Sequence, residues 1–208
     1  MSRLVAFGCS LTYGHGLDDC YIPPNFPGKS PSETAWPATL GKLLNLKTVI
    51  NKGRPGASNK LIWKTVVDFN FQKDDVVFIN WSFLDRHCIF DNSTDEHFPI
   101  GPWFNNKQNK FYYKKIYTKI DHIMEFFSRS DHVSRYLNSL DIKHFHAVTF
   151  MDRSVVSEQP SWYSVDILKP CFSIIEEKYP KGLDNEHPGQ AAHDQYANDL
   201  FLEIKDKL

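Results

Sequence analysis

The chain has 208 residues, 41% hydrophobic and 24% charged, with 24 Lys+Arg against 25 Asp+Glu and a formal net charge of −1. This composition excludes collagen-like and disordered classes, and the neutral balance argues against a dedicated binder of duplex DNA or of an anionic membrane. The length favours one domain over two, so residues 1–208 are read as a single domain.

The opening residues Leu4-Val5-Ala6-Phe7-Gly8 form a short apolar run ending in glycine, the pattern of a buried strand. Residues 11–32, with Gly14-His15-Gly16 and Pro23-Pro24, read as a loop. A helix is predicted from about Ala35 to Leu44, and Lys47 to Asn51 reads as a second strand. Gly53-Arg54-Pro55-Gly56 is a turn, after which Ser58 or Asn59 caps a helix carrying Leu61, Ile62, Thr65, Val66 and Phe69. Asp75 to Trp81 is the clearest buried strand. Residues 88–113 are expected to be an irregular insertion. Residues 115–140 follow as a helix with Ile116, Ile120, Ile123, Met124, Phe127, Val133, Leu137 and Leu140 at helical spacing. His144 to Phe150 reads as a fourth strand and Gly189 to Leu208 as a terminal helix.

Strand and helix therefore alternate. Crossover helices return parallel strands to one sheet, which predicts a three-layer α/β fold with ligands at the carboxyl ends of the strands. Gly8-Cys9-Ser10, Gly53 to Asn59 and Asn80 to Arg86 leave predicted strands there. Ser10 stands in a tight turn, and a serine hydroxyl needs a base to act as a nucleophile near neutral pH. Asp184-Asn185-Glu186-His187-Pro188-Gly189 offers one: a carboxylate and an imidazole three residues apart can share one side of a turn, and Pro188 suits the first position of the terminal helix.

These residues resemble a known family. Gly8-x-Ser10-Leu11-Thr12, Asn51-x-Gly53-x-x-Gly56 and Asp184-x-x-His187-Pro188, in this order, resemble the SGNH (GDSL-like) hydrolases, which are relatives of lipases and acylesterases. Ala35-Trp36-Pro37-x-x-Leu40 adds to the likeness, which covers residues 4–70 and 180–208 well and the middle poorly. The resemblance implies a flavodoxin-like α/β/α parallel sheet. It implies Ser10 as nucleophile, His187 as general base and then acid, and Asp184 as the residue orienting His187. The backbone amides of Ser10 and Gly56 would form part of an oxyanion hole, and no cofactor or metal is expected.

Two positions depart from the family pattern. Cys9 replaces an aspartate that is not catalytic in the family. Ser82-Phe83-Leu84-Asp85 places Leu84 where the family's third block supplies an asparagine to the oxyanion hole. Asn80 at the strand end, or the Ser82 hydroxyl, is available as a substitute; losing one such donor outright typically costs about 10²–10³ in turnover. The reading is a serine esterase acting on a small acyl ester, with an O-acetyl group on a carbohydrate as the substrate class. The alternatives are a non-catalytic binding or structural module on the same fold, as part of a larger assembly, and acyl transfer to an acceptor other than water.

The remaining features are read more plainly. Trp103 to Lys119 interleaves aromatic residues with lysines. Core cover ranks first for it, a lid facing the substrate second and nucleic-acid binding a distant third. Arg86 pairs with a carboxylate or meets an acidic substrate. His144-x-His146 has no third ligand at matching spacing, so metal binding is not expected. Cys9, Cys20, Cys88 and Cys171 are scattered and read as reduced thiols. No window approaches the roughly 18 apolar residues of a membrane span. The N-terminus lacks a signal-peptide pattern. The expectation is a cytoplasmic protein, or one exported only within a larger particle, with no membrane or nucleic-acid partner.

Overall fold

The structure, a computed structural model, describes residues 2–91, 97–150, 155 and 159–208. At its centre are the strands β1 (Arg3–Phe7), β4 (Thr48–Asn51), β5 (Val76–Trp81), β8 (Lys143–Val148) and β9 (Ile167–Cys171). They form a five-stranded sheet in the order β4-β1-β5-β8-β9, and every neighbouring pair is parallel. The chain first steps from β1 outward to β4 through α2 (Trp36–Leu43). It then reverses and crosses to β5 through α3 (Asn59–Val67) and to β8 through α5 (Lys119–Ser139). Right-handed crossovers running in opposite directions place their helices on opposite faces of the sheet. The terminal helix α7 (Gln190–Ile204) packs beside α2, and α3 packs beside α5. The expected three-layer α/β/α arrangement is thus present, and the reversal at β1 opens a crevice at the strands' carboxyl ends.

Side-chain alternation fills the two layers. Phe78 meets Trp36 of α2 and stacks on Phe145, so this face of β5 looks toward α2 and α7. Trp81 meets Phe126 of α5 on the opposite face. Phe7, Phe78, Trp36, Trp81 and Tyr196 are among the largest fully buried side chains. Burying apolar area of this kind is worth roughly 25 cal/mol per Å² and supplies the main driving force for the fold. Ser58 caps α3 as expected, its hydroxyl accepting from Leu61 N at 3.3 Å.

Several elements differ from the sequence expectation. The loop after β1 opens with a short helix, α1 (Ser10–Tyr13), and later forms the two-residue strands β2 (Tyr21–Ile22) and β3 (Phe26–Pro27). The predicted irregular insertion at 88–113 contains a hairpin of β6 (His87–Phe90) and β7 (His97–Ile100), then α4 (Lys107–Lys115); residues 92–96 of it lie outside the described residues. The helix predicted over 115–140 is broken before Thr118, which caps α5 by accepting from Asp121 N. Its buried stripe runs through Ile123, Phe126, Phe127, Ser130, Val133 and Leu137. Ile116, Ile120, Met124 and Leu140 are exposed instead. Ser130 hid the true stripe, because a buried serine breaks the apolar pattern; here it bonds Phe126 O and meets the Tyr163 hydroxyl. β9 and the short α6 (Phe172–Glu176) were not expected, since Lys169 and Pro170 interrupt the apolar pattern. Pro188 lies before the terminal helix, bridged to Lys181, and Gly189 is the N-cap.

Candidate active site

Three loops meet at the carboxyl edge of the sheet. β1 ends at Phe7, and Cys9 takes extended backbone angles before Ser10 begins α1. The loop after β4 is tied to that turn: Lys52 N donates to Ala6 O at 2.7 Å and Arg54 N to Gly8 O at 3.0 Å. Asn51 clamps the two, with Nδ2 donating to Thr12 O at 2.6 Å and Oδ1 accepting from Gly53 N at 2.9 Å. The Asn-x-Gly spacing therefore fixes the second loop against the serine helix. After β5, Ser82 N donates to Asn59 Oδ1 at 2.7 Å, which joins this loop to the start of α3.

Asp184 and His187 are brought together. Asp184 Oδ2 and His187 Nδ1 are 2.6 Å apart, and Oδ1 accepts from the backbone amides of Glu186 and His187 at 3.0 and 2.9 Å. Gly182 N donates to His187 O at 2.8 Å and closes the loop that displays the imidazole. Burial disfavours the charge of Asp184, but the Glu186 and His187 amides and the His187 ring outweigh it, and its pKa lies below the usual carboxylate value. A carboxylate held this way keeps a proton on His187 Nδ1 and leaves Nε2 free to act as a base.

The segment after Ser10 is docked on this pair. Leu183 N donates to Gly16 O at 2.8 Å. Gly16 has φ +91°, and a Cβ there would stand 2.8 Å from Asp184 Oδ1. Only glycine lets the backbone pass so near the carboxylate. Between Ser10 and Gly16 lies His15, a residue that the sequence reading missed. Its ring lies over that of His187 with centroids 4.2 Å apart, and its Nε2 is 3.7 Å from Asp184 Oδ2. Burial, then the neighbouring His187, push its pKa below the usual imidazole value. The signal lay in the sequence: a histidine flanked by two glycines, directly after the serine turn. Ser10 itself is 4% exposed, and its hydroxyl makes no hydrogen bond among the described residues, including to His187.

The candidate oxyanion donors lie on the first and second loops and at the end of β5. Ser10 N–H opens α1, where first-turn amides have no intrahelical acceptor. Gly56 has φ +72°. The Asn80 side chain points into the layer of α2 and α7, where its Oδ1 accepts from Tyr196 Oη at 3.3 Å. Its Nδ2 is buried without a partner. The Ser82 hydroxyl is engaged by Arg86 Nη1 at 3.2 Å, and Leu84 belongs to the hydrophobic core. The Arg86 guanidinium lies over the rings of Phe83 and Trp103, at 4.5 and 4.9 Å from their centroids. Trp103, 48% exposed, stands beside Gly56, so the inserted region does overhang the second loop. In the same insertion Tyr112 is buried and Tyr113 bonds Asp85 O, while Phe111 is exposed.

Other candidates fall away from this site. The Cys9 side chain is fully buried, with Sγ 3.9 Å from Thr149 Oγ1. His144 and His146 do lie on one face of β8, with ring centroids 5.3 Å apart. His146 Nδ1, however, accepts the indole N–H of Trp81 at 3.0 Å. A cavity of about 440 Å³ between α5 and β9 is lined by Phe126, Phe127, Phe150 and Tyr163 together with Gln159, Asp166 and Lys169, and by none of the candidate site residues. No helix among the described residues is long and apolar enough to cross a membrane.

No family model matches the sequence, and no curated protein matches it. Solved structures do match. A carbohydrate esterase family 2 enzyme with a carbohydrate-binding domain from Corynascus thermopiles (Myceliophthora fergusii) superposes with TM-score 0.61 at 12% identity, over 98% of this chain and 65% of that one. The acetyl xylan esterase Est2A from the rumen bacterium Butyrivibrio proteoclasticus gives TM-score 0.58 at 11% identity, over 99% and 63%. A member of the lipolytic protein G-D-S-L family from Veillonella parvula DSM 2008 gives 0.52 at 12% identity, with both chains fully covered. The chain thus spans less than two thirds of the length of the two carbohydrate esterases and the whole of the G-D-S-L protein. At these identities the likeness is one of fold: the chain has the α/β fold of the SGNH hydrolases.

Proposed function

We propose that this chain, acting as one domain, is a serine esterase that hydrolyses a small acyl ester through an acyl-serine intermediate. One observation carries the reading. The Asp184–His187 pair, 2.6 Å apart, is seated on the Gly14–Gly16 segment that leaves the Ser10 helix. This supports a shared neighbourhood for a serine from the start of the chain and an acid–imidazole couple from its end.

In this reading the Ser10 hydroxyl attacks the ester carbonyl while His187 Nε2 takes its proton. Asp184 stays ionised and stabilises the imidazolium that forms. The tetrahedral intermediate collapses as His187 returns the proton to the departing alcohol, and water then repeats the sequence to release the acid. The bond between Ser10 and His187 closes only when substrate arrives, as is common for catalytic hydrogen bonds in free enzymes. The backbone amides of Ser10 and Gly56 receive the oxyanion. Asn80 Nδ2 is the proposed third donor, because a useful donor is uncommitted before substrate binds and shielded from water.

For the substrate class we propose O-acetyl groups on a carbohydrate. Trp103 beside Gly56 supports this, since an exposed indole next to an oxyanion donor gives a sugar ring a face to stack on. The carbohydrate esterases of the same fold support it as well. Leu84 at the third block favours the second reading, a binding module with a degenerate oxyanion hole.

Turnover of a chromogenic acetate ester separates the two. The esterase reading expects hydrolysis that falls to background in Ser10→Ala and His187→Ala. It expects a fall of about 10⁴-fold in Asp184→Asn, where His187 loses its orienting carboxylate. Absence of turnover in the wild-type chain from pH 6 to 9 supports the binding module. Diversion of the acyl group to added alcohols or sugars marks an acyltransferase.

A further inference from the structure

His15 takes no part in the acyl transfer proposed above, yet it faces the same carboxylate. It is 8% exposed, and its Nε2 is buried without a hydrogen-bond partner. Nε2 is the ring nitrogen turned toward Asp184. A neutral imidazole with Nδ1 protonated offers a bare lone pair at Nε2. That lone pair stands 3.7 Å from Asp184 Oδ2, which is itself an acceptor. In that tautomer two buried acceptors face each other, and a cation between them would satisfy both.

We infer that His15 Nε2, Asp184 Oδ2 and His187 Nδ1 form a site for a zinc-type divalent metal ion, and that its occupation switches the proposed esterase off. The ligand atoms all lie within 4.8 Å of one another. Ligands at tetrahedral zinc stand about 3.4 Å apart, given bonds of roughly 2.0–2.1 Å. The observed separations of 2.6 Å for His187–Asp184 and 3.7 Å for His15–Asp184 bracket that value, so modest rotations of the rings suffice. Two imidazoles and one carboxylate suit zinc, copper or nickel, whereas magnesium and calcium prefer all-oxygen sites. The two glycines beside His15 bring its ring to this place, since both hold positive φ, +85° and +91°.

The inhibitory half of the inference rests on the esterase reading, and its logic is one of tautomers. The metal bonds His187 Nδ1, and the single ring proton moves from there, through water, to Nε2. The ring stays neutral and now carries its proton on Nε2, the nitrogen that would accept from Ser10. The base is lost, and Asp184 is drawn from orienting His187 to holding the ion.

The test uses the full chain freed of metal by a chelator, then titrated with Zn²⁺ against a chromophoric chelator and with Co²⁺ by visible absorption. Wild type and Ser10→Ala are expected to bind one ion per chain and to show the intense absorption of tetrahedral Co²⁺. His15→Ala and the polar variant His15→Gln are expected to bind at least tenfold more weakly and to lose the band. Zn²⁺ should raise the Tm of wild type and of Ser10→Ala but not that of the His15 variants, which also reports that the variants fold. Ester turnover by wild type should fall as the site fills, and whatever turnover the His15 variants retain should no longer respond to Zn²⁺. Equal binding by wild type and both His15 variants overturns the inference. A wild-type chain that binds Zn²⁺ through His15 but hydrolyses no ester leaves the metal site standing and removes the esterase reading. A chain that hydrolyses esters and ignores Zn²⁺ does the reverse.

Discussion

Gly16 passes so near the carboxylate of Asp184 that a Cβ on it would stand 2.8 Å from Oδ1 and 3.0 Å from Cγ. The same residue accepts a hydrogen bond from Leu183 N and has φ +91°. It is therefore the point at which the start and the end of the chain are pressed together. Gly16→Ala should destabilise the chain by about 1–3 kcal/mol through backbone strain alone. It should also move Asp184 from His187, so kcat should fall more steeply than KM rises. Urea unfolding paired with ester kinetics checks both; a variant of wild-type stability and kcat contradicts the docking role.

Trp103 makes a prediction about specificity. Its exposed ring stands beside Gly56 and under the Arg86 guanidinium. Trp103→Ala should raise KM for an acetylated oligosaccharide by about two- to tenfold, in line with the roughly 0.5–1.5 kcal/mol that ring contacts contribute. A small chromogenic acetate, with no sugar ring to stack on the indole, should be affected much less. Equal effects on both substrates would place Trp103 in the structure of the loop instead.

Asn80 has two candidate roles that one variant separates. As third oxyanion donor, Asn80→Ala should lower kcat by about 10²–10³. As a partner of the Tyr196 hydroxyl alone, it should lower stability and leave kcat within a few-fold. Tyr196→Phe is the control, because it removes the hydroxyl and leaves the Asn80 amide in place. The proposed mechanism expects the first pattern for Asn80→Ala and near-normal kcat for Tyr196→Phe.

Acid should unfold this chain through two buried histidines. His146 accepts the Trp81 indole N–H at Nδ1, and His193 accepts the Trp36 backbone N–H at Nδ1. Protonating either ring would set one N–H against another. Burial, then a neighbouring histidine in each case, lowers both pKa values to about 3. Unfolded, each titrates near its ordinary value of about 6.5. Between about 6.5 and 3 the unfolded chain therefore binds protons that the native chain does not. Stability falls as pH drops through that window, by about 1.4 kcal/mol per unit for each histidine. Asp184, whose pKa is lowered, acts in the same direction at more acid pH. His146→Gln keeps an acceptor for Trp81 and should flatten the acid limb by one proton in a pH series of urea titrations. An unchanged slope would show that His146 titrates normally in the fold.

The central strands β1 and β5 were legible in the sequence because they are buried on both faces and read as nearly continuous apolar runs. β9 was not, because an exposed Lys169 and a half-buried Pro170 interrupt the apolar run of this edge strand. The hairpin and α4 within 88–113 were hidden by polar, asparagine-rich sequence, whose caps and turns carry no hydrophobic period. The Asp184–His187 pair could be read because its geometry is local, three residues within one turn. Arg86 was expected beside a carboxylate; it lies over aromatic rings and against the Ser82 hydroxyl. His15 escaped notice because its partners lie some 170 residues away in the chain, where no local spacing points to them.

The central claim is that Ser10 is an activated nucleophile, and covalent titration tests it most directly. The chain is incubated with an organophosphorus fluoride at neutral pH and the product is weighed by intact-protein and peptide mass spectrometry. The account predicts one adduct per chain, on Ser10, formed at a rate that collapses in His187→Ala and absent from Ser10→Ala. A wild-type chain that stays unlabelled, or that takes the label on another residue while Ser10 remains free, would contradict it.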